Sequence, residues 1–92
     1  MIKSFLSKAL ETLWRTGKSS KIDVRMVGRL NRRLETLDAA KLPEAMNVPG
    51  FDFHALKGPK PTRYTVHVNG PWCITFEFRQ GDAYRVDLEQ YH

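Results

Sequence analysis

Cysteine is nearly missing from this chain: Cys73 stands alone among 92 residues. A lone cysteine excludes an internal disulfide and any zinc site built on paired cysteines. The three histidines, His54, His67 and His92, show no metal-ligand spacing, and no helical stretch carries a paired-histidine motif. No metal and no cofactor are therefore expected. No apolar run approaches the length of a membrane span. Lys3 and Lys8 interrupt a weakly apolar opening that has no signal-peptide h-region. The expected location is the cytoplasm, with no membrane partner. Repeats and low-complexity tracts are also lacking.

What is present suits one domain, residues 1–92, that buries about 60–65% of its unfolded surface. Charge is unevenly spread. Residues 1–63 hold 13 of the 15 Lys and Arg and six of the ten Asp and Glu, a balance of +7, against −2 for residues 64–92. A basic half on so small a chain points to a polyanion or an acidic protein as partner. Plain solubility explains the same charge equally well.

Strand patterning dominates the C-terminal half. In Pro71–Arg79, Trp72, Ile74, Phe76 and Phe78 alternate with Cys73, Thr75, Glu77 and Arg79, the period of a strand with one face on a core. Arg63–Val68 before it and Tyr84–Leu88 after it also alternate, so Pro71–Arg79 is expected as the inner strand of a meander. Asn69-Gly70 and Gln80-Gly81-Asp82 are the turn signals, with Pro71 expected at the strand start. Residues 51–56 return to alternation, and Lys57-Gly-Pro-Lys-Pro-Thr62 reads as a basic loop.

Upstream, Leu6, Ala9, Leu10, Leu13 and Trp14 form the stripe of a helix over residues 6–15, which Gly17 stops. Asp23 caps a second helix whose Val27, Leu30, Leu34 and Leu37 recur at three- and four-residue steps. Arg25, Arg29, Arg32 and Arg33 are placed on its solvent side, a surface for a partner or nucleic acid if they bind anything. Met1–Ser4 reads as a short extended segment, and Pro43 opens a single helical turn. The fold class is α+β: two N-terminal helices on one face of a mainly antiparallel sheet, whose other face is left for a site.

Few residues suit chemistry. His54 sits on a strand at the lip of the basic loop, three residues before Lys57. His67, between Val66 and Val68, reads as an exposed or hydrogen-bonded surface histidine, and Cys73 as a small strand residue. Cleaving RNA through its own 2′-OH requires a base, an acid and a cation on the developing phosphorane charge. Histidine serves either proton role, Lys57 or an arginine serves as the cation, and a tyrosine stacks on a base.

Several stretches together resemble the HigB-type toxins of the RelE/ParE superfamily: Met1-Ile-Lys-Ser-Phe5, His54-Ala-Leu-Lys57-Gly58, Val68-Asn-Gly-Pro-Trp72-Cys-Ile-Thr-Phe76 and Asp87-Leu-Glu-Gln-Tyr91-His92. The resemblance spans the chain. It implies a RelE-like fold and a metal-independent, ribosome-dependent mRNA endoribonuclease (an mRNA interferase). It also implies neutralisation by a helix-turn-helix antitoxin of the HigA type, and operator DNA bound through the toxin–antitoxin complex. The family's catalytic set maps onto His54, Lys57, Tyr91 and His92, with Lys60, Arg63 and Arg79 as RNA-binding residues. Members commonly carry Asn in place of Pro71 and Arg in place of Cys73, and Arg63 or Arg79 is the expected replacement cation. Two other readings stand beside this one: a ParE-like toxin acting on DNA gyrase, and a weakly active toxin serving mainly as antitoxin-binding co-repressor.

Overall fold

The computed structural model describes residues 1–90. Helix α1 spans Lys8–Thr16, a 3-10 turn Val24–Met26 leads into α2, Val27–Ala39, and a second 3-10 turn covers Pro43–Met46. Strands β1 (His54–Ala55), β2 (Arg63–Asn69), β3 (Trp72–Arg79) and β4 (Asp82–Gln90) follow. They form one antiparallel sheet in the order β1-β2-β3-β4, so β3 is an inner strand, as its alternation implies. The fold is α+β, with both helices N-terminal to the sheet.

Local chemistry sets each boundary. α1 starts two residues later than its apolar stripe suggests, because Leu6 still donates its N–H to the Val86 carbonyl. Leu6 is 47% exposed and stands outside the core. Ser7 is the true cap, its hydroxyl accepting from Leu10 N at 3.1 Å. Gly17, at φ 80°, closes the helix by donating to the Leu13 carbonyl. Asp23 caps the 3-10 turn rather than α2 itself: it accepts from Arg25 N at 2.9 Å and pairs with the Arg25 guanidinium at 2.8 Å. Residues 1–6 lie extended alongside β4, bridging in parallel at Ile2–Ala83 and Phe5–Val86.

The β2–β3 turn also differs from expectation. Asn69 still pairs with Trp72, so Gly70-Pro71 makes the turn. Gly70 supplies the left-handed φ of 55°. Pro71, lacking an N–H, sits where no ladder bond is needed.

One hydrophobic cluster joins the sheet to the helices. Val66, Val68, Ile74, Phe76 and Val86 meet Leu10, Leu13, Leu30, Leu34 and Leu37, all at 0–1% exposure. Phe53, Tyr64 and Phe76 stack in a row, with centroids 5.6 and 5.7 Å apart.

The opposite face is not simply open. Thr75 and Glu77 are buried there as well, at 0% and 8% exposure. The cause is Arg63, whose guanidinium donates to Glu77 at 3.2 Å, to the Thr75 hydroxyl at 2.9 Å and to the Arg85 carbonyl at 2.9 Å. Thr75 in turn donates to Glu89, and Arg85 pairs with Glu77 at 3.2 Å. Pairing shifts register between Thr75 and Glu77, so β4 carries a bulge there, with Arg85 at φ 51°. That left-handed conformation costs roughly 1 kcal/mol for a non-glycine residue. The Arg63 bond to its carbonyl and the Ser4 hydroxyl on its N–H at 2.9 Å offset the cost.

Two measurements check these attributions. Arg63→Met keeps the apolar stem but strips donors from Glu77, Thr75 and the bulge. It should cost about 2–3 kcal/mol in urea denaturation, and a loss under about 0.5 kcal/mol would assign the network to decoration. Asp23 is held at about 2, below the usual carboxylate range, chiefly by its Arg25 side-chain hydrogen bond. A depressed folded value stabilises above the unfolded pKa of ~3.9, and the contribution is lost as pH falls through about 2. Asp23→Ala should therefore lower Tm at pH 7, and the gap from the parent protein should close below pH 2. A gap independent of pH would refute the ion-pair account.

Candidate active site on the outer face of the sheet

Strand register decides which side chains share the outer face. Thr65 lies opposite His54 on one side and Thr75 on the other, while His67 lies opposite Cys73, which itself faces Glu89. Because successive strand residues alternate faces, Val66 and Val68 point into the core while Thr65 and His67 point out beside His54. At the hairpin end of this face a cavity of about 390 Å³ is lined by Asp52, His54, Leu56, Thr65, His67, Gly70 and Cys73.

Both imidazoles in this cavity are held by carbonyl oxygens. His54 Nδ1 is 3.0 Å from the Asp52 carbonyl, and His67 Nε2 is 2.9 Å from the Gly70 carbonyl. A carbonyl only accepts, so the ring nitrogen facing it carries the proton. Neutral His54 therefore has its lone pair on Nε2, and neutral His67 has it on Nδ1. His54 is exposed, as expected for a residue at the lip of the loop. His67, expected as an exposed or hydrogen-bonded surface residue, is the hydrogen-bonded one: it is half-buried, its backbone N–H donates to the Phe51 carbonyl and its carbonyl accepts from Arg33, each at 2.6 Å.

The remaining expected site residues scatter. Lys57 is exposed and directly follows the cavity-lining Leu56, and Lys60 is exposed within the same loop. Arg63 belongs to the outer face but is committed to Glu77, Thr75 and Arg85. Arg79 lies six residues along β3 from Cys73, roughly 20 Å away at the strand's rise. There its guanidinium sits 4.0 Å from the Tyr84 ring centroid. Arg79 is thus no replacement for a cation at position 73. Cys73 is half-buried in the cavity wall. Tyr91 and His92 lie outside the described residues. The described part of β4 ends with Gln90 opposite Trp72, the neighbour of Cys73.

The α2 arginines do not form one solvent face. Arg33 is 7% exposed, with Nε on the His67 carbonyl at 2.6 Å and further contacts to the Arg29 and Gly50 carbonyls at 3.3 and 3.4 Å. Its guanidinium also stands 4.4 Å over the Phe51 ring. Burial pulls its pKa down, and Arg29 and Arg32 add to the effect. Helical spacing explains the placement, since position 33 shares a face with Leu30 and Leu37. Arg25 is paired with Asp23, Arg29 donates to the Asn69 side chain at 3.1 Å, and Arg32 is exposed. Arg29, Arg32 and Arg33 line a second cleft of about 370 Å³ that shares His67 with the first cavity.

Thr65 and His67, which line the cavity but were not among the expected site residues, were visible in principle as outer-face residues. Val66 and Val68 mark the core face, so Thr65 and His67 had to lie on the other. What the sequence could not supply was the pairing that set His54 beside them.

Among the described residues no group of three or more His, Cys, Asp or Glu is arranged to hold a metal ion. No helix among them is long and apolar enough to cross a membrane. The geometry gives two carbonyl-anchored imidazoles around one cavity, next to a basic loop and an arginine-lined cleft. That combination suits proton transfer at an anionic substrate. Comparison with known proteins agrees in kind. Over its full length the chain is 38% identical to the full length of the "Endoribonuclease HigB" of Proteus vulgaris. Residues 3–92 match the family described as the RelE-like toxin of the type II toxin–antitoxin system HigB. An antitoxin is accordingly the partner class that goes with this fold. The chain belongs to the HigB-like toxin family of type II toxin–antitoxin systems.

Proposed function

We propose that this protein is a cytoplasmic toxin that cleaves messenger RNA on the ribosome without a metal ion, and that a HigA-type helix-turn-helix antitoxin neutralises it. The observation that carries the reading is His54: its Nδ1 is anchored on the Asp52 carbonyl, and its Nε2 lone pair remains for a substrate proton. The Proteus vulgaris relative's name supports ribonuclease chemistry.

In the proposed reaction His54 Nε2 takes the proton of the 2′-OH as the 2′-oxygen attacks phosphorus. The new P–O2′ bond forms while the P–O5′ bond breaks, and His92 returns a proton to the leaving 5′-oxygen. Lys57 neutralises charge on the phosphorane, and Tyr91 stacks on the nucleotide. Lys60 binds the RNA backbone near the loop, and Arg63 acts through the network that holds the sheet face. Arg25, Arg29 and Arg32 serve contacts with the antitoxin or with nucleic acid, including operator DNA in the complex.

The test is induced expression without antitoxin, read as growth, protein synthesis and message integrity. The parent chain should stop translation and leave cut messages. His54→Asn, which mimics only the anchored nitrogen, and His92→Gln should each lower single-turnover cleavage on programmed ribosomes by at least 10²-fold. Full toxicity in both variants, or inhibition of gyrase with intact messages, would sink the nuclease reading.

A further inference from the structure

Thr65 is 3% exposed, and its hydroxyl has no hydrogen-bond partner among the described residues. An unpaired buried hydroxyl costs roughly 1–3 kcal/mol, which makes such groups uncommon in native folds. Thr65 is among the residues that line the cavity with His54 and His67. His54 sits directly opposite it in the β1–β2 ladder, and His67 is two residues along the same face of β2. Diagonal and directly opposed neighbours on a sheet face lie about 5–8 Å apart. A tetrahedral phosphoryl group bridges a gap of that size.

We propose that Thr65 and His67, with His54, form the subsite that holds the scissile phosphate. His67 then touches the substrate instead of serving as a surface residue. The inference rests on the nuclease reading for the identity of the ligand as an RNA phosphodiester. The anion subsite stands on the geometry alone. Thr65 donates its O–H to a non-bridging phosphate oxygen and so gains the partner it lacks. His67 keeps Nε2–H on the Gly70 carbonyl and presents Nδ1 to the same group, as a donor when the ring is protonated. Its backbone is clamped on both sides, by Phe51 and by the buried Arg33, so the ring is pre-positioned.

Positive charge for an anion comes from the adjoining cleft: the subsite cavity itself carries one carboxylate, Asp52, whereas Arg29 and Arg32 line the second cleft, which shares His67 with it. A polyanion seated at His67 has its neighbouring phosphates within the field of Arg29 and Arg32. The site also takes its shape from the turn. The His67 ring donates to the Gly70 carbonyl at the apex of that turn, which ties the ring to the hairpin.

Thr65→Val keeps the β-branched shape and removes only the hydroxyl, so it separates binding from folding. Because the hydroxyl is unpaired, the variant should have a Tm equal to or above that of the parent. A structural hydroxyl would instead show as a lower Tm. The imidazole resonances of His54 and His67 in the full chain are followed by NMR while inorganic phosphate, and then a 2′-deoxy dinucleotide phosphodiester, is added. Both rings should respond with one shared dissociation constant. Thr65→Val and His67→Asn should each weaken that constant at least 10-fold. No response to either probe, a response from His54 alone, or unweakened binding in Thr65→Val would overturn the subsite. On programmed ribosomes Thr65→Val should lower single-turnover cleavage 10- to 100-fold with ribosome affinity unchanged. A parent chain that bound phosphate as described but left messages whole would overturn the nuclease reading and keep the subsite.

Discussion

Arg63 reaches from β2 across β3 to the carbonyl of Arg85 on β4, and the shape of the outer face follows from that reach. The inner face coheres by burying apolar side chains, a force without direction. The outer face has no such resource. There Thr75 and Glu77 are buried among strands that carry charge, and each needs a partner with defined geometry. A planar guanidinium with several fixed donors meets that demand where an ammonium would not. By holding the β4 bulge it also fixes the register beyond it, which sets Glu89 opposite Cys73 and Gln90 opposite Trp72.

A second arginine does comparable work between layers. Arg33 grows from the buried face of α2 and ends on the His67 carbonyl, so the helix layer grips the strand next to the cavity. Both arginines were candidates for binding a partner, and both are largely spent inside the fold. Basic composition is therefore a poor measure of how many cations a ligand can find. Arg29, Arg32, Lys57 and Lys60 are the ones left with exposed side chains near the two clefts or the loop.

The meander was legible from alternation in residues 63–88, because a half-buried strand imposes a two-residue period on its sequence. The helices were legible from their apolar stripes, and Gly17 from its place after the last stripe residue. Their starts were less so. Leu6 suits a helix stripe, but a hydrogen bond to Val86, 80 residues away, keeps it extended. Arg33 sits among four arginines of one stretch, and helical spacing, which puts it on the face of Leu30 and Leu37, is what separates it from the exposed ones. The site was half legible. His54 and Lys57 stood out beside a basic loop, whereas Thr65 and His67 gained meaning only when pairing brought them to His54. Arg79 shares a face with Cys73 in the pleat, yet the strand's length takes it out of reach.

The chemistry proposed for the outer-face cavity is transphosphorylation through the RNA's own 2′-oxygen. One substitution in the substrate tests it: a message programmed on the ribosome, with the 2′-OH removed from the single nucleotide on the 5′ side of the cut. The account predicts that this message stays whole while its all-ribose counterpart yields a 2′,3′-cyclic phosphate and a 5′-OH end. Cleavage of the deoxy-substituted message at the same position would contradict it, because the oxygen that His54 is proposed to activate would not be there.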